Sequence, residues 1–211
     1  MNAVRVHDLF NIVSLFFICG LNLWYLYLTT DLSLLGTDEI GKNHVDLFLL
    51  TWKLFTAYVV VDTVWVILVP SCVIANPNLI IIHHFVTLVM TVVPIVHYKL
   101  FGWHFGACIL VELNTFFLIA RRNLTKGTFL YIVSDVFFYV TWVGLRLLLF
   151  PWLVVFYSSE YIRFSTAVNT YFNVVIITPV MHSVVTSLSL KWTFDMVMKL
   201  LKNDKKKEKS K

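Results

Sequence analysis

Charged residues are scarce in this chain. Asp, Glu, Lys and Arg make up 14% of its 211 residues, whereas hydrophobic residues make up 59% and the mean hydropathy is +0.80. A soluble domain of this size is roughly half apolar and about a quarter charged. An excess of apolar residues in long uninterrupted runs is typical of a protein that lies within a lipid bilayer. The composition therefore argues against a soluble globular domain.

Cysteine is also rare. The three cysteines, Cys19, Cys72 and Cys108, each lie in or beside an apolar run, and no C-x-x-C pair occurs. We therefore expect them to be packing residues and predict no disulfide framework. The H-x-x-x-H and H-x-x-H-H boxes of membrane di-iron desaturases and hydroxylases are absent as well, so we expect no metal.

The positive net charge of +5 comes largely from the C-terminal tail, which ends in "KNDKKKEKSK". A polybasic tail on a membrane protein is suited to anionic lipid headgroups. We therefore expect membrane lipids as partners and no nucleic acid.

Six stretches are long and apolar enough to cross a bilayer, which takes roughly 20 apolar residues. They cover about residues 9–29, 47–70, 79–97, 101–119, 129–150 and 165–190. Pro151 is expected to end the fifth span, and residues 151–164 fit either the membrane interface or a span. Because a helix satisfies its own backbone in lipid, the sequence predicts an all-α membrane protein with a single bundle of about six transmembrane helices.

The chain divides into an N-terminus (1–8), a transmembrane domain (9–190) and a basic tail (191–211). The basic loop 121–127 and the tail fall on the same side of the predicted bundle. Since Lys and Arg are enriched in cytosolic loops, we expect both termini to be cytosolic.

Ionisable side chains inside a membrane are costly and mark functional sites. Those within the predicted spans are Asp62, His83, His84, Glu112, Asp135, Arg146 and His182. At a rise of 1.5 Å per residue, all except Arg146 lie roughly 9–13 Å from the cytosolic ends of their helices. The sequence therefore predicts a shared polar layer. Arg146 is expected near the opposite surface, where snorkelling is favoured over catalysis.

Several of these side chains also have structural interpretations. Asp62 can hydrogen-bond a neighbouring polar side chain, and Asp135 can stabilise a helix N-terminus. For His182 the structural and functional interpretations are equally open.

The adjacent imidazoles of His83 and His84 point about 100° apart on a helix, so only one of them can face a cavity squarely. We favour His84 for the cavity. His97 and His104 flank a predicted turn and are expected at the surface.

Four motifs follow one another in a characteristic order: "AYVVVDTVW" (57–65), "HHFVTLV" (83–89), "VELNTFFLIARRNL" (111–124) and "SDVFFYVTWVGLRLLLFP" (134–151). Together they resemble the TLC domain, the family of ceramide synthases and of smaller TLC-domain proteins of the endoplasmic reticulum. Ceramide synthases carry two aspartates in the helix after the His pair, whereas this chain has the single carboxylate of Glu112. The chain is therefore more similar to the smaller members.

The resemblance implies a set of functional residues. The expected catalytic residues are His83, His84, Glu112 and Asp62. The expected substrate-binding residues are Asn114, Thr115, Arg121, Asp135 and His182.

These residues suggest acyl transfer from acyl-CoA to a lipid amine or hydroxyl. A neutral imidazole can take a proton or accept an acyl group, and a carboxylate from Glu112 or Asp62 would orient it. Arg121, Arg122 and Lys126 would suit the phosphates of CoA, which is expected as a co-substrate in the absence of any other cofactor. A non-enzymatic lipid sensor, lipid-homeostasis regulator or cargo-escort protein is the alternative. A transporter ranks third, since no inverted repeat is visible.

The tail also contains a pattern that resembles a sorting signal. Lys207 and Lys209 form a K-x-K-x-x ending that resembles the dilysine signal read by coat proteins. Together with the family resemblance, it predicts residence in the endoplasmic reticulum. The sequon "NLT" at 123–125 is predicted to be cytosolic and unmodified.

Overall fold

The structure is a computed structural model that describes residues 2–30 and 44–208. Across these residues the chain is helical and contains no strand. Six helices are long and apolar enough to cross a membrane: Ala3–Thr29, Val45–Leu68, Pro77–Val96, Phe101–Asn123, Phe129–Ala167 and Val174–Lys199. The prediction of an all-α membrane bundle is confirmed. Most of the predicted polar loop 30–46, together with Lys209 and the side chain of Lys207, lies outside the described residues.

We number the α-helices in chain order. They are α1 (Ala3–Thr29), α2 (Val45–Leu68), α3 (Pro77–Met90), α4 (Val92–Val96), α5 (Tyr98–Ile109), α6 (Val111–Asn123), α7 (Phe129–Thr141), α8 (Phe150–Ala167) and α9 (Ile177–Glu208). Side-chain caps begin three of them: Asn2 for α1, Asn76 for α3 and Thr128 for α7 each accept a backbone N–H of the first turn. Gly127, with a φ of 86°, makes the left-handed turn before α7.

The first helix begins earlier than predicted. We expected residues 1–8 to form a cytosolic segment, but α1 begins at Ala3. His7 and Asp8 are only 4% and 2% exposed. These polar side chains are paired with residues of neighbouring helices, so they extend the helix into the bundle instead of ending it.

The fifth span does not end at Pro151. A π-helical segment, Trp142–Leu149, joins α7 to α8, so that one continuous helix of 39 residues runs from Phe129 to Ala167. Proline lacks an N–H, and in a regular α-helix its ring clashes with the carbonyl one turn earlier. The wider π-helical turn directly before Pro151 relieves that clash. Residues 151–164 are therefore part of this helix.

Close contact between α1 and α5 holds the first helix in the bundle. The Asn22 side chain donates a hydrogen bond to the Gly106 carbonyl at 2.9 Å. A Cβ at position 106 would lie 2.9 Å from Leu26 Cδ2 and 3.1 Å from the Tyr25 ring. Only glycine therefore fits here without a shift of its neighbours. This contact fixes α1 alongside the other helices that form the site.

Two hydrophobic cores lie on either side of α5. One joins α1, α2 and α6, and the other joins α3, α8 and α9. His104 lies between them, 3% exposed, with its ring stacked at 3.7 Å on Phe156. The prediction that His104 is a surface residue was wrong, because α5 is enclosed by both cores. His97 is half-buried with its ring 5.3 Å from Phe164.

Candidate functional site

A carboxylate of α2 lies between two imidazoles from different helices. Asp62 Oδ1 is 2.5 Å from His7 Nε2 of α1, and Asp62 Oδ2 is 3.4 Å from His84 Nε2 of α3. The three side chains are 5%, 5% and 13% exposed in the order Asp62, His7, His84. Of the two carboxylates that the sequence proposed as partners of the imidazole, the structure places Asp62 beside His84.

One side of this network is fixed by residues of α1 and α2. The Tyr58 hydroxyl donates to Asn11 Oδ1 at 3.0 Å. The Asn11 amide nitrogen lies 3.3 Å from both ring nitrogens of His7. Because a carboxylate oxygen only accepts, His7 Nε2, 2.5 Å from Asp62, carries a hydrogen and donates it, which leaves Nδ1 as the acceptor for the Asn11 amide. The hydrogen bonds therefore run in one direction, from Tyr58 to the carboxylate.

The other side is fixed by Thr63. Its hydroxyl hydrogen is donated to the Val59 carbonyl at 2.5 Å, so towards His84 Nδ1, at 3.1 Å, the oxygen is the acceptor. His84 Nδ1 therefore carries a hydrogen, and Nε2 faces Asp62. A lone pair opposite a carboxylate would be repulsive. Asp62 and His84 therefore hold one proton between them, a position from which it can be passed to a ligand.

A cavity of about 280 Å³ opens beside the network. Its polar lining includes Asp62, His83, His84, Glu112, Thr115 and Arg146. The cavity is large enough for a headgroup and part of a chain, and all four expected catalytic residues line it. The helix geometry led us to expect only one of the two adjacent histidines, preferably His84, at the cavity. In the structure both His83 and His84 line it.

The two carboxylates of the cavity have different surroundings. Asp62 is paired with the imidazoles, whereas Glu112, which is also buried, forms no ion pair within residues 2–30 and 44–208. Asn114 is fully buried, is not among the residues that line the cavity, and donates to the Phe138 carbonyl at 2.9 Å. Of the expected substrate-binding residues in α6, Thr115 thus lines the cavity and Asn114 joins α6 to α7.

Arg146 is not near the opposite surface. It is 6% exposed, donates from Nε to Asn114 Oδ1 at 2.8 Å and lines the cavity. The expectation that it snorkels was wrong for two reasons. The helix extends beyond Pro151, so Arg146 is not at a helix end, and helical side chains point towards the N-terminus, here towards the cavity.

Asp135 and Arg121 lie elsewhere. They form an ion pair with each other at 2.7 Å, and 35% and 25% of their side chains are exposed. The Arg121 guanidinium also lies 4.1 Å above the Phe138 ring. Arg121 lines a neighbouring cavity of about 440 Å³ together with Lys191 and Lys199. The structure therefore does not bring Asp135 into the predicted polar layer.

His182 lies in a second, smaller chamber of about 50 Å³. His83 and Glu112 line both chambers. His182 Nε2 is 3.2 Å from the Phe150 carbonyl and donates to it, so that Nδ1 is an acceptor, 3.9 Å from Cys108 Sγ. His182 is therefore separated from the network by the wall that His83 and Glu112 form.

The cysteines are free thiols. Cys19 and Cys72 are buried, as their expected packing role requires, whereas Cys108 is partly exposed and lies 3.1 Å from the Tyr157 hydroxyl. Burial, followed by the charge of Asp62, raises the pKa of the Cys72 thiol, which keeps it in the unreactive protonated form.

Sequence reasoning missed the contribution of α1. His7 bonds Asp62, and Asp8 forms an ion pair with Arg122, whose Nε donates to Asp8 Oδ2 at 3.0 Å. The Asn123 amide also donates to Asp8, at 2.8 Å. The missed signal is the spacing of His7 and Asn11, four residues apart on one face of an otherwise apolar helix.

Comparison with protein-family models, with curated proteins and with solved structures gave no match. The resemblance to the TLC domain is thus carried by the motifs alone. Within residues 2–30 and 44–208, no group of three or more His, Cys, Asp or Glu side chains is arranged to hold a metal ion.

Proposed function

We propose that this protein is an enzyme of lipid metabolism in the membrane of the endoplasmic reticulum. In this proposal it is a TLC-type acyltransferase that moves a fatty acyl group from acyl-CoA to the amine or hydroxyl of a lipid, such as a sphingolipid precursor. The observation that carries the proposal is the contact of His84 Nε2 with Asp62 at 3.4 Å in a cavity within a membrane bundle. An imidazole beside a carboxylate is the arrangement that general acid–base catalysis requires.

The reaction needs one proton to move. The lipid amine or hydroxyl attacks the thioester carbonyl, a C–N or C–O bond forms, and the C–S bond of acyl-CoA breaks. The Asp62–His84 pair delivers the proton that it holds to the departing CoA thiolate and takes the proton of the attacking group in its place, so that it ends the reaction as it began. The cavity keeps water away, which protects the thioester from hydrolysis.

Basic side chains near the cavity support CoA as the acyl donor. Arg122 lines the 280 Å³ cavity beside the network, and Arg121, Lys191 and Lys199 line the neighbouring 440 Å³ cavity. The two cavities share Trp142 and Trp192. Phosphates of CoA bound at the basic cavity would leave the acyl chain directed towards His84.

The test is turnover by purified protein supplied with radiolabelled acyl-CoA and a panel of lipid amines and alcohols. We expect a labelled lipid product that His84→Ala abolishes. His97→Ala is the matched control, because it removes an imidazole that lies outside the cavity, against Phe164. Saturable lipid binding without any product, unaffected by His84→Ala, would instead support the lipid sensor, homeostasis regulator or cargo-escort protein.

The location is tested separately. Replacement of Lys207 and Lys209 by serine removes the proposed retrieval signal and leaves most of the basic tail. Imaged without a C-terminal tag, this variant should reach the Golgi or the cell surface if coat proteins read the signal. Unchanged reticular staining would refute the signal and leave the acyltransferase proposal unaffected.

A further inference from the structure

Arg146 is a buried cation without an ion-pair partner. Among residues 2–30 and 44–208 no carboxylate lies within 4.0 Å of its guanidinium. Its only short hydrogen bond is the one from Nε to Asn114 at 2.8 Å, and the contacts of Nη1 with Ser189 and of Nη2 with Thr115 are both 3.4 Å long. Guanidinium has five N–H donors, and buried charges are almost always paired. The remaining donors are therefore available to a ligand.

The surroundings of this cation resemble a binding site. Arg146 lines the 280 Å³ cavity, and its guanidinium lies 5.2 Å and 5.7 Å from the ring centroids of Trp142 and Trp192, which line the same cavity. His83 Nδ1, which belongs to the lining of the same cavity, is buried and has no hydrogen-bond partner among the residues that the structure describes. Unpaired buried polar groups are costly, so a ligand that pairs with Arg146 and His83 would be favoured.

The charge of the site favours an anion. Glu112 lines the same cavity as Arg146, but the two side chains form no ion pair. A neutral ligand would leave the guanidinium unneutralised in an apolar medium, where an isolated charge is costly. A carboxylate or phosphate can accept two of its N–H donors side by side. The rest of the cavity wall, which includes Val59, Ile80 and Leu118, is apolar and suits an alkyl chain.

We propose that Arg146, between Trp142 and Trp192, binds the anionic headgroup of a single-chain amphiphile, a carboxylate or a phosphate, with its alkyl chain in the cavity. The inference goes beyond the proposed acyl transfer and does not depend on it, because it concerns binding alone. The two tryptophans give this binding an optical signal.

The experiment measures quenching of tryptophan fluorescence by a chain-brominated fatty acid, with the full chain in nanodiscs. Unbrominated fatty acid, lysophosphatidic acid and fatty alcohol of equal chain length then compete for the site. We expect at least one of the two anions to compete about 10- to 100-fold more strongly than the alcohol, the range for a charge-assisted hydrogen bond in a buried site. The stronger competitor identifies the headgroup as a carboxylate or a phosphate.

Variants localise the binding. Arg146→Gln should remove the preference for the anion, and Trp142→Phe should reduce the quenching. Arg163→Gln is the matched control, because it removes an arginine whose side chain is 67% exposed and paired with Glu160. Arg163→Gln should change neither the preference for the anion nor the fluorescence quenching. Arg146→Lys keeps the charge and should keep part of the preference.

The inference is overturned if the alcohol competes as well as both anions, or if folded Arg146→Gln retains the wild-type preference. The comparison of anion with alcohol uses the wild-type protein, so it decides the question even if the Arg146 variants do not fold. Anion binding without acyl transfer would refute only the proposed function. Acyl transfer without any anion preference would refute only this inference.

Discussion

Replacement of Asp62 by asparagine separates the chemistry of the network from its structural role. The amide has the shape of the carboxylate but carries no charge. Its oxygen can still accept from His7 Nε2–H, and its NH₂ group can donate to His84 Nε2, whose lone pair faces it. Both hydrogen bonds, to His7 and to His84, are then made although Asp62 and His84 no longer hold a proton between them. We therefore expect the free energy of unfolding to change by less than about 1 kcal/mol, because no buried polar group is left unpaired.

The activity should respond very differently. Without a carboxylate, the pair cannot take up and release the proton, and turnover should fall by about 10²- to 10⁴-fold, the usual contribution of general acid–base catalysis. Asp62→Ala provides the structural comparison. It removes the carboxylate partner of His7 Nε2 and of His84 Nε2, while Asn11 and Thr63 still contact the two rings, and the loss costs roughly 1–3 kcal/mol per group.

Thermal unfolding in nanodiscs and turnover of acyl-CoA would be measured for both variants. Asp195→Asn is the control, since it removes an exposed carboxylate paired with Lys191. Equal destabilisation by Asp62→Asn and Asp62→Ala would show that the hydrogen-bond directions are misassigned. Wild-type turnover by Asp62→Asn would show that the network has no part in the chemistry.

Three further predictions, two on variants and one on the unchanged protein, concern other parts of the structure. Glu112→Gln should lower turnover at least tenfold without loss of protein if this carboxylate works with the His pair, and full turnover would leave Asp62 as the only carboxylate involved. Asn123 should carry no glycan in cells, as judged by its gel mobility after glycosidase treatment, whereas a glycan would reverse the predicted orientation. Gly106→Ala should destabilise the fold by about 1–3 kcal/mol through overpacking. Gly20→Ala is its control, since a Cβ there would meet nothing within 4 Å and should leave the melting temperature nearly unchanged.

The sequence was sufficient to predict the number and approximate position of the membrane-spanning helices, because a run of roughly 20 apolar residues is rarely found in any other structure. It also predicted a shared polar layer in which Glu112 or Asp62 orients an imidazole, and the structure places Asp62 beside His84. Depth along the helix was the reason, since antiparallel neighbours bring residues of equal depth together. The same argument included Asp135, which the structure pairs with Arg121 instead. Depth alone does not say which way a side chain points around its helix.

His7 was missed and Arg146 was misplaced for a different reason. His7 lies near the start of its helix, where polar residues usually mark a boundary, and only its partner in α2 shows that it belongs inside. Arg146 was misplaced because Pro151 was taken as a helix end. Both errors come from treating a local signal as decisive where tertiary contacts override it.

The π-helical segment Trp142–Leu149 has a consequence for the two chambers. Between Ser134 and Tyr157, the buried residues of this helix are Ser134, Phe138, Trp142, Arg146, Phe150, Leu153 and Tyr157. In a regular α-helix, steps of four residues drift by about 40° each, so Ser134 and Phe150 would lie about 160° apart. The π-helical turns contain more residues per turn, so they reduce this rotation and keep the buried residues on one side of the helix. One continuous helix can therefore present Arg146 to the larger chamber and Phe150 and Tyr157 to the smaller one. Deletion of a single residue within the segment would rotate one chamber's wall by about 100° relative to the other.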